Sequence, residues 1–154
     1  MKKTLSAFCL SLLSVPGWAQ QAPPPCPTLP GNTELRWEQR ADVGFITCRA
    51  VSPDGRPVLN VMLTSRDPKI RLQRALRAEE STFSGEKMYW YRLDLGGREV
   101  PGMESRRISV VELDDDLYAQ VWINADSQQE LATLIGLAQQ LDASATSAPL
   151  SAGR

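Results

Sequence analysis

The chain predicts an α+β domain: an antiparallel sheet of about five to six strands with two helices packed on it, in the order ββαβββα. Three observations lead there. Apolar and polar residues alternate with a period of two in "VLNVMLTS" and "LYAQVWINA", the pattern of strands buried on one face. Apolar residues recur at helical spacing in "ELATLIGLAQQL". Between such segments stand turn-forming clusters such as "SPDGRP".

The elements follow in chain order. Residues 1–19 read as a cleavable export signal: a basic start in "MKK", an apolar run in "LSAFCLSLLSV", and small residues at Gly17 and Ala19. The apolar run falls short of the ~20 residues that a membrane-spanning helix requires. Residues 20–33, "QAPPPCPTLPGNT" after Gln20, hold too many prolines for a helix or a central strand and read as an extended tether. The folded domain is expected over 34–142, with "ASATSAPLSAGR", 143–154, a disordered tail. The expected location is the periplasm, with secretion the second destination.

Within the domain, "ELRWEQR" places Leu35 and Trp37 on one face, and "VGFITCRAV" is rich in β-branched and aromatic residues. "SPDGRP" turns the chain, and "VLNVMLTS" returns with Leu59, Val61 and Leu63 on one face. Asp67 and Pro68 then have the form of an N-cap and first helical residue, so a helix is expected through "RDPKIRLQRALRAEE". Three strands should follow, in "KMYWYRLDL", "ESRRISVVEL" and "LYAQVWINA", with "DDD" at 114–116 as a hairpin turn. The last strand sends Leu117, Ala119, Val121 and Ile123 to one side and Tyr118, Gln120 and Trp122 to the other. Ser127 and Glu130 form a capping box for the final helix, whose Leu131, Leu134, Ile135, Ala138 and Leu141 make an apolar stripe. Gly136 inside that helix suggests a close backbone approach to the sheet.

Cys26 and Cys48 are the two cysteines beyond the leader, and an even pair in an exported chain reads as a disulfide that pins the tether to the first hairpin. The order of elements over 34–142, and the run "GREVPGMESRRISVVELDDDLYAQVWINADSQQELATLIGLAQQL" in particular, resembles the PsbP-like superfamily of small exported or peripheral binding proteins. A glycine-containing loop, two strands and a final amphipathic helix follow one another there as in that group. The resemblance implies binding more often than catalysis, since fold alone does not define activity.

Residue chemistry narrows the function further. The chain has no histidine, which removes Ser-His-Asp and Cys-His machinery, a histidine base near neutral pH, and histidine-ligated zinc. No phosphate-binding or dinucleotide-binding glycine motif is present, and no cofactor or metal is expected. Glu79, Glu80, Glu99, Glu104 and Glu112 show no spacing that defines a paired-carboxylate site, and Asp114–Asp116 lacks the ligand spacing of a calcium loop. The formal charge of the whole chain is −1, and loss of Lys2 and Lys3 with the leader takes it to −3, which argues against nucleic acid as partner.

Two features remain as candidate contact surfaces. Arg71, Arg74 and Arg77 at three-residue spacing would form a ridge on the expected helix, joined by Lys69 and Arg66. Cations at a helix start oppose the helix dipole, so either they pair locally with acids or they serve a partner. Tyr89, Trp90 and Tyr91 in succession send aromatic rings to both faces of a strand, and Trp122 lies on the face opposite Val121 and Ile123. Either these rings are core, or one set forms an interaction patch. The leading expectation is a non-enzymatic module binding another protein of the cell envelope, in its most concrete form an inhibitor or immunity-type protein against a toxic envelope enzyme. The alternative is a carrier or accessory protein for a small anionic or lipid ligand, held between sheet and helix near Trp90, Trp122 or Met62.

Overall fold

A computed structural model describes residues 26–114 and 116–144. The expected export signal at 1–19, residues 20–25 of the expected tether and residues 145–154 of the expected tail lie outside the described residues. Seven strands make one antiparallel sheet: β1 Arg36–Asp42, β2 Phe45–Val51, β3 Pro57–Thr64, β4 Arg77–Phe83, β5 Glu86–Tyr91, β6 Arg106–Asp114 and β7 Leu117–Asn124. Their spatial order is β1-β2-β3-β7-β6-β5-β4. One helix, α1 Gln128–Gln140, follows the last strand. The class is α+β as expected, but the described residues form seven strands rather than five or six and one α-helix rather than two.

The missing helix is that expected from Asp67. Asp67 does use its side chain on the backbone, but it accepts from the Lys69 N–H at 2.8 Å, which closes a local turn, and Lys69 then takes a φ of 52°. A residue with positive φ cannot sit in the first turn of a right-handed helix. Residues 67–73 therefore run without regular structure, and only Arg74–Leu76 makes a single 3-10 turn. The rest of the expected helix, residues 77–80, opens β4 (Arg77–Phe83), an edge strand whose register with β5 shifts between Arg77 and Glu80.

Elsewhere the period-two readings hold. Ile46, Cys48 and Ala50 pair with Leu63, Val61 and Leu59, which pair in turn with Ala119, Val121 and Ile123. All nine are essentially inaccessible to solvent and form the middle of the core. Gly55 turns the β2–β3 hairpin with a φ of 85°, and its N–H donates to the Ser52 carbonyl. α1 lies over this core face through Leu131, Leu134, Leu137 and Ala138, with Ile135 at the margin. The Ser127 hydroxyl accepts from the Glu130 N–H at 3.1 Å, as the capping box predicts, while the Glu130 carboxylate accepts from the Asp126 N–H. Arg56, in the β2–β3 turn, donates to the same carboxylate at 2.7 Å, which raises the guanidinium pKa and holds Glu130 below the usual carboxylate value. After α1, Ala143 is fully buried and its N–H donates to Ser84 Oγ.

The Cys26–Cys48 disulfide is formed, with an S–S distance of 2.06 Å. It lays residues 26–33 over the core face of β1 and β2, where the Trp37 indole donates to the Pro27 carbonyl and Gln39 accepts from the Cys26 N–H. Trp37, Leu35 and Leu29 pack there against the core. Tether and helix thus cover different parts of one face of the sheet.

Gly136 departs from expectation. A Cβ built on it meets nothing within 4 Å, so no close approach to the sheet requires glycine. Gly136→Ala is expected to raise stability by about 0.5–1 kcal/mol through helix propensity alone, read as a higher urea midpoint at unchanged slope.

Candidate functional site: the helix-free face of the sheet

The second face of the sheet carries no helix among the described residues. One row of side chains crosses it through all seven strands, in the register Glu38, Arg49, Asn60, Trp122, Ile108, Tyr91 and Arg77. The centre of the row, from Asn60 to Tyr91, is half-buried, and its two ends are exposed. Beside it on the same face stand Tyr89, Met62 and Gln120.

β3 lies in the middle of the sheet and β4 at its edge, so the connection between them must pass β7, β6 and β5. It crosses on this helix-free face. Ile70, Leu72 and Leu76 share a hollow of about 160 Å³ with Tyr91 and Ile108, and the Leu76 carbonyl accepts from the Arg92 N–H at 2.9 Å. Farther back along the strap, burial and the charges of Glu112, Asp67 and Asp116 raise the Tyr118 phenol above its ordinary pKa.

Arg66, Lys69, Arg71 and Arg74 belong to this strap, and Arg77 opens β4 directly after it. All five are exposed. Without a helix, the three-residue spacing of Arg71, Arg74 and Arg77 no longer makes a ridge, but the cations still lie on one segment. Local pairing does not account for them: among the described residues no carboxylate stands within ion-pairing distance of any of the five. Arg77 instead lies over aromatic rings, its Cζ 4.0 Å from the centroid of Tyr89 and 5.9 Å from that of Tyr91, and its Nη2 donates to the Tyr91 hydroxyl at 3.4 Å. At an exposed position such a contact contributes about 0.5–1 kcal/mol.

The aromatic run of β5 divides as strand geometry requires. Tyr89 and Tyr91 stand on the helix-free face, and Trp90 is wholly inside the core with Phe83 and Met88. Its indole N–H has no hydrogen-bond partner among the described residues. Trp90 therefore presents no surface to a partner, and its inclusion with Tyr89 and Tyr91 as a contact residue is corrected to a core position. Trp122 does share the open face, separated from Tyr91 in the row by Ile108.

Of the scattered glutamates, Glu79 is held by a buried cation. Glu79 receives two bonds from Arg107, from Nε at 2.8 Å and from Nη2 at 2.7 Å, on the helix side of the sheet. The Arg107 side chain is 6% exposed, and its Nη1 donates to the carbonyls of Glu104 and Arg106. That bidentate partner holds the Glu79 carboxyl below its usual value. Composition carried no signal for this pair, because the two residues are brought together only by the placing of β4. Among the described residues no group of histidine, cysteine or acidic side chains is arranged to hold a metal ion, and no helix is long and apolar enough to cross a membrane.

A second hollow, of about 650 Å³, lies in the loop between β5 and β6. Leu93, Val100 and Met103 line it together with Arg92 and Arg98. Neither hollow is lined by Trp90, Trp122 or Met62, the residues that sequence reasoning set around a ligand.

Fold and surface together define a single-sheet α+β domain with one face covered by a helix and the other, among the described residues, crossed by the β3–β4 strap and bearing aromatic rings and unpaired cations. The chain matches no family model, no curated protein and no solved structure.

Proposed function

We propose that this chain is a non-enzymatic protein-binding module of the cell envelope. It engages its partner through the helix-free face around Arg77, Tyr89, Tyr91 and Trp122, with the strap cations Arg66, Lys69, Arg71 and Arg74 beside it. The observation that carries the reading is the Arg77–Tyr89–Tyr91 stack, which continues through Ile108 to Trp122 on a face with no α-helix over it among the described residues. Aromatic and arginine side chains dominate the energetics of protein interfaces, and aromatic ground edged by charge suits a protein surface. The unpaired cations select an acidic partner surface. A chain without histidine that blocks an enzyme of the envelope, as an inhibitor or immunity-type protein does, needs nothing beyond such a surface.

The test is affinity capture from envelope extracts with the tagged chain. One protein in fixed ratio is expected, with recovery lowered about tenfold or more by Arg77→Glu with Tyr89→Ala, and also by Arg71→Glu with Arg74→Glu. Unchanged recovery with both variants would remove this face from the reading.

The second reading, a carrier for a small anionic or lipid ligand, has its own support in the apolar hollow with Arg92 and Arg98 at its wall. It predicts a ligand that copurifies with the chain and is lost on Arg92→Glu with Arg98→Glu, while protein capture stays unchanged.

A further inference from the structure

The sheet ends at β1, whose outer margin is not paired with another strand of the described chain. Its pairing with β2 runs from Arg36 to Asp42 without a bulge. Such a straight margin is a ready template for a further strand unless something blocks it. Among the described residues the tether lies on the other side of β1, because Cys26 and Pro27 contact Gln39 and Trp37, which share the core face with Cys48 and Ala50. On the other face β1 presents Arg36, Glu38, Arg40 and Asp42, a regular alternation of positive and negative charge.

Charges on an edge strand ordinarily deter association. Here their order matters. If two copies of β1 pair antiparallel and the sheet continues, residues on one face of one copy must meet residues on the same face of the other. Only registers centred on a residue satisfy this condition. Centring on Glu38 sets Arg36 against Arg40 and Glu38 against itself. Centring on Arg40 sets Glu38 against Asp42 and Arg40 against itself. Both registers oppose like charges throughout, while centring on Trp37 or Ala41 opposes unlike charges but leaves only three residues of β1 facing β1 of the second copy. Centring on Gln39 sets Arg36 against Asp42 and Glu38 against Arg40, and by symmetry each pair occurs twice. Directly opposed unlike charges stabilise a strand pair, and like charges destabilise it.

The single chain leaves this set incomplete. Glu38 pairs with Arg36 at 3.2 Å and reaches Arg49 at 4.0 Å, but among the described residues neither Arg40 nor Asp42 has an ion-pair partner. Val43, just beyond the strand, is 94% exposed and in the same register comes level with Leu35 of the second copy.

We propose that two copies of this chain associate through β1, antiparallel and centred on Gln39, to form one continuous sheet with two-fold symmetry. The contact is isologous, so it closes at two copies. It uses the sheet edge farthest from Arg77 and Tyr89, and stands whether or not the helix-free face binds a protein.

The experiment is sedimentation equilibrium on the full chain, purified with its disulfide intact, with circular dichroism as the check that each variant is folded. A dimer is expected, weakened by added salt. Arg40→Glu opposes Glu38 with a second carboxylate and should raise the dissociation constant at least about tenfold, and Glu38→Arg should do the same with two guanidiniums. An equimolar mixture of the two variants restores unlike pairs at both positions and should dimerise as well as the original chain. A monomer at all reachable concentrations would overturn the proposal. So would a dimer indifferent to both single reversals, or a mixture no tighter than its components.

Discussion

Glu79→Ala is expected to destabilise the fold by about 3 kcal/mol, measured by urea denaturation with the disulfide intact. The variant leaves the Arg107 guanidinium, 6% exposed, with only the carbonyls of Glu104 and Arg106 as partners, and an uncompensated buried charge carries most of the penalty of a broken pair. Arg107→Met should cost roughly half as much. It removes the more buried charge and keeps apolar volume, while Glu79, 38% exposed, can turn to water. Equal losses would show that packing rather than charge dominates the site. The pair also sets an acid limit. Because Arg107 depresses the folded-state pKa of Glu79, its contribution is fully present above the ordinary value of 4.5 and is lost as pH falls through the depressed folded value. Stability of the alanine variant should accordingly fall less steeply on the acid side than that of the unaltered chain.

Removal of the disulfide, by Cys26→Ser with Cys48→Ala, should cost about 3 kcal/mol, the loop-closure value for a sequence separation of 22. For a domain of this size that lowers the melting temperature by on the order of 10 °C. Alanine suits position 48 because that residue is fully buried and a hydroxyl there would lack a partner. The loss should also release residues 26–33 from the core face of β1, and the Trp37 fluorescence should move to longer wavelength before the global transition. A melt without that early change would place the anchoring of the tether in its own contacts.

Much of the covered face could be read from residues alone. The alternations in β3 and β7, the proline-glycine turn between β2 and β3, the Ser127 cap and the cysteine pair are local signals, each set by dihedral preference or period. The division of Tyr89 and Tyr91 from Trp90 follows from strand geometry as well, although sequence could not say which side would be open. β4 was hidden because "RAEESTF" has helix-forming composition and becomes a strand only through pairing with β5. Asp67-Pro68 misled for a related reason: the same side chain that caps a helix also closes a turn, and the choice is made by Lys69 and by the distance the strap must cover. Which face would carry the helix could not be read for the same reason, since the second expected helix is the strap and β4.

The strap has a bearing on how the chain reaches its fold. β1 to β3 form a meander of near neighbours, and β4 to β7 form another. The two are joined side by side only where β3 meets β7, in contacts such as Leu59 with Ile123 that are far apart along the chain. Closing so long a loop is slow compared with forming a hairpin. Each half can therefore zip up early, but the seam between them must wait for the seventh strand. Until it arrives, β3 and β7 are both unfinished edges, and the centre of the mature sheet is the last part of it to exist.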